Sequence, residues 1–128
     1  MSAKRLSLFI GPAITLHRQQ QQMGGPAVQK ARGQGSSPSG FYRREGRIVE
    51  TPWGRLCFAA PLKQPHIATV LEIEEVLGLP FGTLIATAGE LAREHDEAVA
   101  KATAELRVSK EVLMERARGG EWALPTSG

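Results

Sequence analysis

Beyond Pro65 the large apolar residues stop alternating and recur at three- and four-residue steps, and this spacing limits what the chain can build. Ile67, Val70 and Leu71 lead to Val76 and Leu77 on one side, with Glu72, Glu74 and Glu75 largely opposite. The pattern predicts an amphipathic helix with one face in a core and the other in water. Gly78 is a helix stop, and Pro80 stands where the missing N–H of a first helical turn does no harm. Phe81, Leu84, Ile85, Ala88, Leu91 and Ala92 continue the spacing. Gly82 and Gly89 each weaken that helix by roughly 1 kcal/mol relative to alanine, and Gly89 marks either its end or a close contact. An alanine-rich helix follows through Leu106, with Glu97 and Lys101 as an i,i+4 pair. Ser109 is a good N-cap for a helix over Lys110–Arg118, and Gly119-Gly120 ends it. Trp122 and Leu124 are expected to fold back over the remaining apolar face.

Ahead of these helices, Ile48-Val49-Glu50 and Arg55-Leu56-Cys57-Phe58 are β-prone runs around Thr51-Pro52-Trp53-Gly54. Proline presets the second position of a turn and glycine suits the fourth, so the segment predicts a hairpin. Leu56 and Phe58 share one face, and Arg55 and Cys57 the other. A lone hairpin is not stable in water and must pack on the helices or pair with another chain. Cys57 reads as a small packing residue and Trp53 as a cover for the rim of the core. As a wing beside DNA-binding helices, the hairpin would bring Arg43, Arg44, Arg47 and Arg55 near phosphate.

Charge and apolar content divide the chain unevenly. Residues 1–47 hold eight basic residues and one acid, a net +7; residues 48–128 hold eight and twelve, a net −4. Leu, Ile, Val and Phe account for 8 of the first 47 residues but 22 of the last 81. So few large apolar groups cannot offset the entropy of ordering the first part, which reads as a loose basic arm. The run Gln19–Gln22, Gly24-Gly25-Pro26 and the Gly/Ser-rich stretch to Gly40 fit a linker. Lys4 and Arg5 before a short apolar run have the outline of a secretory signal, but Ser7, Gly11 and Pro12 interrupt it. A transit peptide is the other alternative, since no acid precedes Glu45. No apolar run approaches the length that spans a bilayer. One cysteine excludes an intramolecular disulfide framework and a multi-cysteine zinc site.

The helical part contains a weak internal repeat. Leu77-Gly78-Leu79-Pro80 with Leu84-Ile85 and Ala88 aligns, 29 residues later, with Leu106-Arg107-Val108-Ser109, Leu113-Met114 and Ala117. Each copy reads as helix end, apolar turn residue, helix start and apolar contacts, the pattern of a helix-turn-helix. Pro65–Glu90 resembles the later helices of the phage-repressor-like (XRE, Cro/C1-type) helix-turn-helix family, through Ile67, Val70, Ile73, Leu77, Gly78, Leu79, Pro80, Leu84 and Gly89. The resemblance implies helices that pack the core and assist dimerisation, with the recognition helix earlier in the chain. Residues 64–92 have no Lys or Arg and four glutamates, so this copy is not expected to bind DNA by itself. Glu97–Arg118 resembles a general bacterial helix-turn-helix, with Leu106, Val108, Ser109 and Leu113 at matching places. It departs from that pattern at Thr103, Arg107 and Arg116, where alanine, glycine and an apolar residue are usual. The resemblance implies that Ser109, Lys110 and Glu111 open the recognition helix and that Lys110 approaches a base edge or phosphate. Lys101, Arg107, Arg116 and Arg118 would reach the DNA backbone. The alternative is a solvated mixed-charge face carrying Glu105, Glu111 and Glu115.

Catalytic chemistry lacks a signature. His17, His66 and His95 are far apart, no His-x-x-x-His or Cys-x-x-Cys spacing occurs, and no phosphate-cradling glycine loop joins a strand to a helix. His95, flanked at helical spacing by Leu91, Ala92, Ala98 and Val99, reads as a structural histidine. The expected protein is mainly α: a short β-hairpin followed by a small bundle of helices, with a disordered basic N-terminal arm. The arm covers residues 1–46, and the hairpin with its helix-turn-helix-like domain covers 47–124. The expected function is that of a small cytoplasmic DNA-binding regulator of bacterial or phage type, without enzymatic activity, cofactor, metal or membrane. Its candidate DNA-binding residues are Arg107, Ser109, Lys110, Arg116 and Arg118, and its partners double-stranded DNA and a second copy in a homodimer. The competing reading is a non-enzymatic interaction or phage assembly subunit that oligomerises through hairpin and helices.

Overall fold

The computed structural model of the chain describes residues 3–22, 47–58 and 67–119. The described residues are mainly helical. They form α1 (Ala3–Ser7), α2 (Ile10–Gln20), strands β1 (Arg47–Thr51) and β2 (Gly54–Phe58), α3 (Ile67–Val76), α4 (Thr83–Leu106) and α5 (Lys110–Arg118). Trp122 and Leu124, Arg43 and Arg44, and the linker-like stretch of the arm lie outside the described residues.

The long helix α4 organises the rest. Its 24 residues run about 36 Å at 1.5 Å per residue. Leu84, Ala88, Leu91 and Ala92 in its first half join Phe9, Ile10, Ala13 and Ile14 of the N-terminal segment, Val70, Ile73 and Leu77 around α3, and Cys57 of β2. Ala98 in its second half joins Leu56 and Ala117. Gly89 does not end the helix. The apolar residues on either side are buried along one face, and that packing outweighs the propensity cost of glycine.

Alternate residues of a strand point to opposite faces. Leu56 belongs to the second cluster and Cys57 to the first, so β2 is covered on both sides. This double covering is what makes a two-stranded hairpin stable here. The strands pair antiparallel, with Thr51 opposite Gly54 and Arg47 opposite Phe58. In the turn, Trp53 N–H donates to Thr51 Oγ1 at 3.2 Å and that hydroxyl donates to the Gly54 carbonyl at 2.6 Å. Gly54 has φ +136°, and a Cβ there would stand 3.2 Å from Ala98 Cβ, so backbone and space both call for glycine.

The expected loose arm is corrected over residues 3–22, which form α1 and α2 and contribute to the core. Six of the eight large apolar residues of the first 47 lie between Leu6 and Leu16, at helical spacing. Gly11 and Pro12, which looked like interruptions, fall in the first turn of α2, where proline loses no hydrogen bond. The segment is also tied down by polar contacts. His17 Nε2 lies 2.8 Å from Thr87 Oγ1, and Gln21, inside the glutamine run, donates to the Leu77 carbonyl at 2.6 Å.

Glu74 does not face water with its neighbours. It is 3% exposed, and its carboxylate accepts from Gly82 N–H at 3.1 Å and Leu84 N–H at 2.8 Å. Gly82, the N-cap residue of α4, has φ +88° and no side chain to cap with. Glu74 therefore supplies from α3 the acceptor that a serine or aspartate N-cap provides locally. The helix begins at Thr83 rather than Pro80, whose carbonyl accepts from Thr83 N–H at 3.1 Å.

Candidate nucleic-acid interface

The bend between α4 and α5 forms as the apolar spacing predicts. Arg107 ends α4 at φ 55°, ψ 43°, and Val108 N–H returns to the Thr103 carbonyl at 3.3 Å. That bond and the left-handed residue before it form a Schellman-type stop, with arginine where glycine is preferred. Ser109 then takes extended geometry and accepts from Val112 N–H at 3.3 Å as the N-cap of α5. Leu113 is fully buried and Ala117 is 1% exposed, so α5 leans on its neighbours through one stripe. Met114 and Phe58 pack at the margin of the same cluster.

Of the residues expected to meet DNA, Arg107, Ser109 and Lys110 stand in succession at the bend, all exposed. Arg116 and Arg118 are exposed at the opposite end of α5, which at nine residues is about 13 Å long. The five do not share one face. Glu111, Glu115 and Arg118 follow at steps of four and three along the side opposite Leu113, and Arg116 projects elsewhere. Arg118 Nη1 lies 3.8 Å from Glu115 Oε2. Basic groups thus gather at the two ends of α5, with acids along the outward stripe between them. Lys101 is exposed on α4.

A second polar group pins the hairpin to α4, and most of it went unrecognised in the sequence. Glu94 accepts from Arg55 Nε and Nη2, both at 2.8 Å, and from Arg55 N–H at 3.2 Å. The hydrogen bonds from Arg55 hold its carboxyl below the usual range, against the opposing effect of burial. The neighbouring His95, 5% exposed, accepts from Cys57 N–H through Nδ1 at 3.0 Å and meets the Phe9 ring edge-on. Burial pushes the His95 pKa down, keeping Nδ1 free as an acceptor. This agrees with its reading as a structural histidine. Burial likewise pushes the Cys57 thiol up to about 12, which leaves it protonated and unreactive at neutral pH. Trp53 hydrogen-bonds Glu105 through its indole N–H, and Arg5 pairs with Asp96. An acid on a helix signals by itself only a solvated face, so the partners of Glu94 and Glu105, some 40 and 50 residues away, could not be inferred from local spacing.

Among the described residues no group of three or more His, Cys, Asp or Glu is placed to hold a metal ion. Nor is any helix among them long and apolar enough to cross a membrane. The chain matches no protein-family model, no characterised protein and no solved structure.

Proposed function

We propose that the chain is a small, non-enzymatic DNA-binding regulator of helix-turn-helix type that presents the bend between α4 and α5 to a duplex. The observation that carries this reading is the bend itself. Arg107 and Lys110 flank a capped turn, and Leu113 and Ala117 hold α5 against the body so that its N-terminal end stands out. The N–H groups at that end favour an approaching phosphate. The excess of basic residues in the first 47 adds long-range attraction for a polyanion. Glu111 and Glu115 confine phosphate contact to the ends of α5, and a glutamate reaching a groove floor accepts from a cytosine amine.

A mobility-shift titration of duplex DNA at several salt concentrations tests the reading. Arg107→Gly is the most informative variant, because glycine fits the left-handed backbone and the fold is kept while a charge is removed. Arg107→Gly and Lys110→Ala should each weaken binding and flatten its salt dependence by about one ion. Unchanged affinity in both, with binding lost when Lys30, Arg32, Arg43 and Arg44 are neutralised together, would reject readout through the bend. Neutralisation replaces truncation here, because removing residues 1–47 would also remove α2 from the core.

One observation favours a second reading, an oligomerising subunit. Phe81 is 87% exposed, with Ile67 at 55% and Ile85 at 38%. Exposed apolar side chains of that size mark contact surfaces when they are contiguous. Sedimentation of the wild type against Phe81→Ser separates a homodimer that buries Phe81 from a monomer.

A further inference from the structure

Arg47 and Phe58 are partners across the hairpin, so their side chains share one of its faces. Arg118, the last residue of α5, reaches the same place. The guanidinium carbons of Arg47 and Arg118 lie 5.4 Å and 5.7 Å from the centroid of the one Phe58 ring. Arg47 Nη2 also donates to the Arg118 carbonyl at 3.2 Å, tying β1 to the end of α5. Phe58 is itself fixed against the cluster of Leu56, Ala98 and Ala117. Two like charges are thus gathered beside one aromatic ring, each attracted to its π-system.

Their neutralisation is incomplete. Arg55 is held by both oxygens of Glu94, and Arg5 by Asp96. Arg47 has no carboxylate within ion-pair distance among the described residues, and Arg118 has Glu115 at 3.8 Å, with that side chain 79% exposed. So exposed and long a pair gives way readily to a competing anion. Both guanidinium forks lie beside the one Phe58 ring, and a planar fork suits the oxygens of a phosphate. Arg107 and Lys110 stand at one end of α5 and the arginine pair at the other, about 13 Å along the helix.

We propose that Arg47 and Arg118, held over the Phe58 ring, clamp one phosphodiester group of a nucleic-acid duplex where the hairpin meets α5. This inference rests on the DNA-binding reading above and adds to it a site that joins strand and helix.

The test is fluorescence anisotropy of the full chain with a labelled duplex over a salt series, using Arg47→Ala, Arg118→Ala, the double variant and Arg47→Lys. Both side chains are exposed, and circular dichroism checks that each variant is folded. With one phosphate shared, either single substitution weakens binding but leaves the other guanidinium on the phosphate, so the log–log salt slope falls in magnitude by about 0.9 only in the double variant. Arg47→Lys keeps the slope and loses affinity, because lysine lacks the planar fork. A slope unchanged in the double variant, or a fall of about 0.9 in each single variant that adds in the double, overturns the shared clamp and leaves the DNA-binding reading standing. A wild type that binds no duplex at low salt overturns both. In a parallel arm, inorganic phosphate that raises the Tm of the wild type but not of the double variant, with no duplex binding, identifies a free-phosphate site and overturns the clamp.

Discussion

Removing the Glu74 carboxylate should cost this fold more than any other single acidic side chain in α3. Two N–H groups of the first turn of α4 depend on it, one of them on the fully buried Leu84. Hydrogen bonds to a charged group contribute about 1.5–3 kcal/mol each, and a buried donor left without a partner costs about 1–3 kcal/mol. Glu74→Ala leaves both donors open, but Gly82 N–H is only partly buried and water can reach it. The expected loss is therefore about 2–4 kcal/mol, or roughly 10–20 °C in Tm for a domain of this size. Glu74→Gln keeps one acceptor oxygen and sets an amide against the other N–H, for about half that loss. The exposed Glu75→Ala should stay within about 0.5 kcal/mol. Urea denaturation followed by circular dichroism measures all three. If Glu74→Ala lost no more than Glu75→Ala, the carboxylate would not be capping α4 and the account of how that helix starts would be wrong.

Gly89→Ala should stabilise the protein by about 0.5–1 kcal/mol, since the new Cβ would rest 3.9 Å from Leu6 Cδ1 in ordinary contact; thermal unfolding detects the gain. Gly54→Ala should lower Tm by several degrees, because a Cβ meets Ala98 Cβ at 3.2 Å on backbone at φ +136° and costs about 1–3 kcal/mol. Stability should fall as pH drops below about 6.5, the unfolded histidine value. The His95 pKa is depressed by burial and by Lys110 and Arg5, against Asp96, so its contribution is complete above that value and lost toward the lower folded one. Urea midpoints between pH 7.5 and 5 should show this slope in the wild type and a flatter one in His95→Gln; equal slopes would remove His95 from the account. The corresponding loss from Glu94 lies lower, below the usual carboxylate range.

Elements whose signal is local were legible in the sequence. Ser109 and Gly119 bracket α5 as expected, and the Pro-Trp turn places both strands within a residue or two of their observed ends. The N-terminal helices were hidden by averaging. Leu6, Phe9, Ile10, Ala13 and Ile14 have helical spacing, but their count was diluted by the polar residues after Gln22. Glu74 looked like a solvent residue because its acceptor role depends on Gly82, eight positions later, lacking a cap of its own. The missing cap was the available signal. At the candidate interface the exposed arginines and Lys110 could be placed from the sequence. The meeting of Arg47 with Arg118 could not, because it requires the hairpin and α5 to pack around Phe58.

The hydrogen bonds from Arg55 and Cys57 to Glu94 and His95 also decide where the sheet stops. These two N–H groups are the outward donors of β2, and side chains of α4 occupy both. An incoming strand therefore finds its template closed along that border, and lateral growth of the sheet is restricted to the Ile48 and Glu50 side of β1. The same helix that braces the hairpin thus keeps half of its rim from seeding aggregation.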